Sequence, residues 1–248
     1  GGVLAGVQGR TLTVAGDLSL AGDSSVNVAL GAASTQALFD VGGDLTLDGT
    51  LNVTDQGGFG AGVYRIVDYA GSLTDNGLAI GGTPAGISAA DLHVQTSVAR
   101  QVNLISSAGA ELRFWDGGDV ALHDNGAIDG GAGVWRTDGR NWTEADGAIN
   151  GAYRPNPAFA VFQGKAGTVR VDNGAGAIGV TGMQFATNGY RLEGDAIELA
   201  GEGGTSVVRV GDGTQAGGSM TATIASALSG AATLVKSDEG TLVLSGNN

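Results

Sequence analysis

The chain has 248 residues, of which 47 are glycine, 3 are proline and none is cysteine, and 25 acidic against 12 basic side chains leave a net charge of -13. Glycine without a three-residue period or abundant proline excludes collagen, and the lack of cysteine excludes disulfides, thiol catalysis and cysteine-ligated zinc. An acidic surface without clustered Lys and Arg is a poor partner for phosphate backbones, so no nucleic acid is expected. The 42% hydrophobic share recurs in short alternating runs and argues against disorder. No run of about eighteen apolar residues offers a membrane-spanning helix. Gly1-Gly2-Val3 lacks the basic and apolar parts of a signal peptide, which leaves a cytoplasmic chain or an excised piece of a longer one.

Alternation of period two dominates the first hundred residues. Thr11-Leu12-Thr13-Val14, Asp17-Leu18-Ser19-Leu20, Ser25-Val26-Asn27-Val28 and Asp44-Leu45-Thr46-Leu47 each place apolar side chains on one face, as half-buried strands do. Helical spacing is absent, and its best candidate, residues 219–228, is rich in Thr and ends at Ser229-Gly230. Strands this short, with no helices for crossovers, leave antiparallel hairpins or a coil of parallel strands. Repetition favours the coil: Gly16-Asp17-Leu18-Ser19-Leu20-Ala21-Gly22 returns as Gly43-Asp44-Leu45-Thr46-Leu47-Asp48-Gly49, and Asp-Asn-Gly begins at Asp75, Asp124 and Asp172. Repeats of roughly 20 to 50 residues mark solenoids and arrays, and the spacing predicts rungs of roughly 20 to 25 residues with Asp-Asn-Gly two rungs apart. Residues 114–158 break the pattern. They hold Trp115, Trp135, Trp142, Pro155, Pro157, Arg136, Arg140 and Arg154, and read as an irregular insert before strands resume at Ala160-Val161-Phe162 and Thr168-Val169-Arg170-Val171.

Chemical motifs are few. Gly174 to Gly179 matches G-x-G-x-x-G, but a strand follows where a dinucleotide site needs a helix, so it reads as a turn. His93 and His123 lie apart, with no H-E-x-x-H and no G-x-S-x-G. Asp116, Asp119, Asp124 and Asp129 are the candidates for acid–base work, although their glycine neighbours suit turns. The expectation is no enzyme, no cofactor and no metal. Asn52-Val53-Thr54 and Asn141-Trp142-Thr143 satisfy the N-glycosylation pattern by chance. Aromatic and arginine side chains are favoured at binding centres, which makes Trp115, Trp135, Arg136, Arg140, Trp142 and Tyr153 the candidate ligand-binding set. The competing reading is a miniature core beneath a long loop.

Leu234-Val235-Lys236-Ser237-Asp238-Glu239-Gly240-Thr241-Leu242-Val243-Leu244-Ser245-Gly246-Asn247 resembles the autotransporter-associated β-strand repeat, L-x-K-x-G-x-G-T-L-x-L-S-G-x-N, with Asp238 in place of its first glycine. Phe114-Trp115-Asp116-Gly117-Gly118 and Asn141-Trp142 are similar to the W-D-G and N-W segments of the same proteins. Residues 160–171 and 182–201 resemble the strand pairs that precede the repeat there. The resemblance covers most of the chain and implies a passenger domain of a type V secreted protein. That is an all-β, right-handed parallel β-helix forming one domain over residues 1–248, with the irregular insert at 114–158. It implies a non-enzymatic adhesin or rigid stalk on the cell surface of a Gram-negative bacterium, extracellular and tied to the outer membrane through a C-terminal barrel outside this fragment. Expected partners are a host extracellular-matrix protein such as fibronectin, or a cell-surface glycan. The alternatives are a carbohydrate-active β-helix lyase or hydrolase using the four aspartates, or an inert stalk for an N-terminal catalytic head.

Overall fold

The computed structural model describes residues 1–6, 9–31 and 38–247. The chain divides into two compact units, Gly1–Gly109 with Gly213–Gln215, and Ala110–Asp212 with Ala216–Asn248. Both are built from β-strands. Among the described residues the only helical pieces are four 3-10 segments of three to five residues, and the Thr-rich stretch near residue 220 forms the strands Thr221–Ile224 and Leu228–Ser229.

In the first unit three parallel series lie side by side. One holds Val3–Ala5, Ser25–Leu30, Thr50–Asp55 and Ala79–Ile80, the next Thr11–Val14, Leu38–Val41 and Gly62–Tyr69, and the third Leu18–Ser19, Leu45–Leu47 and Leu73–Asp75. Along the chain the strands visit these series in a fixed cycle, and each pairs with its successor one cycle later. Leu18 pairs with Leu45, and Leu45 with Leu73, so the seven-residue sequence repeat is one full step of the structure. Like residues therefore stack on like. Leu4, Val26, Leu51 and Ile80 form one apolar column in register, with Val26 and Leu51 fully enclosed. Burying a Val or Leu in this way contributes roughly 1.5–3 kcal/mol each.

The outward positions are tied by side chains. The Asn52 amide donates to Asn27 Oδ1 at 2.8 Å and accepts from the Gly82 N–H at 2.8 Å. At the repeat's turn, Asp17 Oδ1 accepts the Asp44 N–H at 2.8 Å and Asp44 Oδ1 accepts the Ser72 N–H at 2.7 Å. Each aspartate thus satisfies a backbone donor of the next rung, which a turn exposed to solvent would otherwise leave to water. The last parallel strand, Gly62–Tyr69, is covered on its other side by an antiparallel hairpin, Leu92–Gln95 and Gln101–Ser106. A buried polar chain crosses that junction: Arg65 donates to Asn103 at 2.8 Å and pairs with Asp68 at 2.6 Å, and Asn103 donates to Gln95 at 3.0 Å.

The second unit has two series. Gly133–Trp135, Thr168–Val171, Arg191–Gly194, Thr221–Ile224 and Thr241–Leu244 are parallel throughout. Leu112–Trp115, Ala158–Phe162 and the long strand Ile178–Phe185 are also parallel; the last pairs with Ile197–Leu199 along its first half and Thr205–Val210 along its second. Trp142–Thr143 closes the first of these antiparallel. Trp115, Phe162, Phe185 and Val210 follow one another in register and form the core column. Phe162 and Phe185 stack at 5.0 Å with planes 12° apart.

Two expectations change here. Residues 114–158 are not irregular throughout, since Gly133–Trp135 and Trp142–Thr143 join the sheets. The Asp-Asn-Gly interval is also not a uniform two rungs: the steps in the first unit range from 22 residues, Val3 to Ser25, to 29, Thr50 to Ala79, and Asp124 lies inside the single long step that pairs Leu112 with Phe159. Asp75 and Asp172 do build the same turn, each accepting the N–H two residues on, at 3.0 and 2.9 Å. Asp124 differs, with φ 57°. Asp238, the departure from the repeat pattern, also takes a left-handed backbone, φ 61°, where glycine costs nothing. Its carboxylate is held by Arg209 at 3.1 Å, with both side chains buried.

Candidate functional site

The six candidate residues part company in the structure. Trp115, Trp135, Trp142 and Tyr153 are at most 1% exposed. They fill the end of the second unit's core, because the short strands that carry the tryptophans pair into its sheets and turn the indoles inward. Trp135 meets Trp142 at 4.8 Å and Tyr153 at 5.0 Å, and Trp115 meets Trp142 edge-on at 5.3 Å, the tilted geometries aromatic quadrupoles favour. The Trp115 indole N–H donates to the Gly131 carbonyl at 2.8 Å. The Tyr153 hydroxyl reaches the Ala158 and Gly179 carbonyls at 2.8 and 3.2 Å, and burial pushes its phenol well above the ordinary value. The three indoles are enclosed in this way and belong to the core, as does the Tyr153 ring, although Tyr153 also borders a cleft.

The two arginines stay outside, and each is engaged. Arg136 pairs with Asp138 at 2.9 Å and Asp172 at 3.2 Å; Asp138 and then Asp172 hold its guanidinium above the usual arginine value. Arg140 pairs with Asp124 at 3.1 Å and donates to the Asn150 carbonyl.

Asp116 of the W-D-G segment lies behind them, 1% exposed. Its oxygens accept the Asp129 N–H at 2.7 Å and the Asn150 amide at 2.9 Å. Burial raises its carboxyl above the ordinary range, against the lowering effect of these donors. Asn150 in turn accepts the Asp124 N–H and donates its own N–H to Asp124, which holds the Asp124 carboxyl low. Asp119 accepts from the Ala121 N–H, and Asp129 from the Asn125 amide. The four aspartates of the enzymatic reading are thus each engaged, Asp119 and Asp129 within local turns and Asp116 and Asp124 with Asn150 across the excursion. His123 faces the Gly117 carbonyl at 3.2 Å, and His93 stands on the hairpin strand Leu92–Gln95. The G-x-G-x-x-G stretch runs from the 3-10 turn Asn173–Ala175 into the strand Ile178–Phe185, as its sequence context predicts.

One concave feature went unread in the sequence. Thr137, Tyr153, Arg154, Pro155, Asn156, Ala175 and Gly176 bound a cleft of about 320 Å³. Its walls are fastened: Thr137 donates to the Ala175 carbonyl at 2.9 Å, and the Asn156 side chain donates to the Ala177 carbonyl and accepts from the Gly179 N–H, both at 2.8 Å. Arg154 accepts through its carbonyl from Arg113, yet its guanidinium has no hydrogen bond or ion pair among the described residues.

The chain is 47% identical over 220 residues to the adhesin BmaC autotransporter of Brucella suis biovar 1 (strain 1330), a match covering 85% of the chain. The chain belongs to the autotransporters. It is therefore surface-exposed material of the Gram-negative outer membrane secretion route. It spans about 6% of that relative's length. No protein-family profile matches the chain, and no solved structure matches it.

Proposed function

We propose that the chain is a non-enzymatic attachment segment of an autotransporter passenger, folded as a right-handed parallel β-helix and acting as an adhesive surface or as the rigid stalk beneath one. The observation that carries this reading is the 47% identity to a protein named as an autotransporter adhesin. The cyclic order of parallel strands supports the coil, because a chain that returns to each sheet in turn, one step along, winds rather than folds back. The engagement of Asp116, Asp119, Asp124 and Asp129 in hydrogen bonds that hold the 114–158 segment together supports a structural rather than acid–base use. The partner class is a host extracellular-matrix protein or a cell-surface glycan.

Particles coated with the purified chain test this reading against host cells and immobilised fibronectin. The adhesive role predicts retention several-fold above particles coated with an unrelated acidic protein. Equal retention, together with undiminished adhesion of bacteria whose parent protein lacks this segment, would contradict attachment through it.

A further inference from the structure

We infer that the cleft beside Arg154 is a binding site for a carboxylate-bearing sugar unit of a surface glycan, with the Arg154 guanidinium as the clamp for the acid. This deepens the attachment reading and rests on it for the source of the ligand. Small-molecule sites span about 300–1,000 Å³, so a cleft of about 320 Å³ has room for one sugar ring and not for a folded peptide. The polar groups of Tyr153, Asn156 and Thr137 are already spent on backbone partners. The cleft is therefore shaped before any ligand arrives, which limits the ordering cost of binding. What remains unspent is the guanidinium of Arg154, whose planar fork matches a carboxylate through two parallel hydrogen bonds.

Charge narrows the ligand further. The chain carries an excess of 13 negative charges; Arg113, which donates to the Arg154 carbonyl, is paired with Glu144, and Arg136 is neutralised by Asp138 and Asp172. One unpaired guanidinium suits a single negative charge. A phosphate monoester, with close to two charges at neutral pH, would keep one of them uncompensated. Pro155 and Ala175 offer C–H surface to the ring of a sugar, leaving its hydroxyls to water.

The test uses the purified chain with methyl glucuronide and the methyl glycoside of N-acetylneuraminic acid. Methyl glucoside serves as the neutral isostere and an acetylated Gly-Glu-Gly amide as the peptide acid. Backbone amide NMR shifts report both the site and the affinity. An acidic glycoside is expected to shift the amides of Thr137, Asn156 and Gly176 in a saturable way and to bind at least about tenfold more tightly than methyl glucoside. Arg154→Gln is expected to abolish that tenfold preference, and Arg154→Lys, which keeps the charge but not the fork, to recover part of it. Arg170→Gln, the same charge change outside the cleft, leaves it intact. Equal binding of the neutral glycoside, shifts confined to other residues, no saturable binding, or tighter binding of the peptide acid would each overturn the assignment. Particle adhesion separates the two readings: adhesion without glycoside binding sinks the cleft alone, and glycoside binding without adhesion sinks the attachment reading alone.

Discussion

Asp116 shows how one side chain can hold a long excursion together and still cost the fold something at neutral pH. Its two oxygens take N–H donors from residues 129 and 150, so the loops on either side of Asp124 are tied to the strand that carries Trp115. Burial nonetheless disfavours its charge. The folded state therefore grips the Asp116 proton more tightly than the unfolded chain does. Its contribution to stability is full below the ordinary carboxyl value of 3.8 and is lost as pH rises through the folded value. Asp124 and Asp172 act in the opposite sense. Backbone N–H donors hold both below 3.8, so their contribution is present above that value and disappears as pH falls through their folded values. Carboxyl-detected NMR titration should find Asp116 above 3.8 and Asp124 and Asp172 below it. An Asp116 that titrates at or below 3.8 would mean that donors, not burial, govern it.

At the scale of elements, the aromatic cluster is the piece that turns an excursion into a lid for the core. Trp135→Ala should lower the unfolding free energy by about 3–5 kcal/mol, the range for deleting a fully enclosed large side chain. Arg140→Ala, at a solvent-exposed ion pair, should leave the melting curve nearly unchanged. Equal effects of the two in thermal denaturation would contradict the division of the candidate set into core and surface. This division was not legible in the sequence. Strands as short as Trp142–Thr143 show no alternation, so nothing in the residue order says which way an indole turns. The direction is set by which sheet the strand joins, and that is decided by pairing with residues far along the chain. Arg154 was hidden for a similar reason, because a guanidinium is left unpartnered only by what the loop around residue 175 brings near it. The Pro155 and Pro157 pair was its one visible signal, marking a stiff turn there. The parallel pairing of the first unit was legible, because the repeat beginning at Gly16 and Gly43 carries the strand, the turn and the capping aspartate together. Asp-Asn-Gly misled because a two-residue Asx turn fits any exposed bend and need not recur at the same place on successive rungs.

The molecule as a whole draws its stability from repetition rather than from cross-links. With no cysteine, each rung is held by backbone bonds to its neighbours, by apolar columns such as Leu4, Val26, Leu51 and Ile80, and by Asn and Asp ladders outside. A net charge of -13 discourages edge-to-edge association of such strands in a displayed protein. Within each unit one series carries an antiparallel strand, the 101–106 hairpin strand against Gly62–Tyr69 in the first and Trp142–Thr143 against Leu112–Trp115 in the second. One parallel series in each unit is therefore bordered by an antiparallel strand.

Engineered cysteines read directly the register that stacks one strand on the next, in a chain that has no cysteine of its own. Ser19 and Thr46 are paired neighbours, as are Thr46 and Thr74. Adjacent strands lie about 4.8 Å apart, within the span of roughly 4.4–6.8 Å that a disulfide bridges. Cysteines at 19 and 46, or at 46 and 74, should cross-link rapidly on mild oxidation, while cysteines at 19 and 74, two rungs apart, should not. Closure of the 19 and 74 pair as readily as the adjacent ones, or failure of both adjacent pairs in folded protein, would contradict the parallel coil.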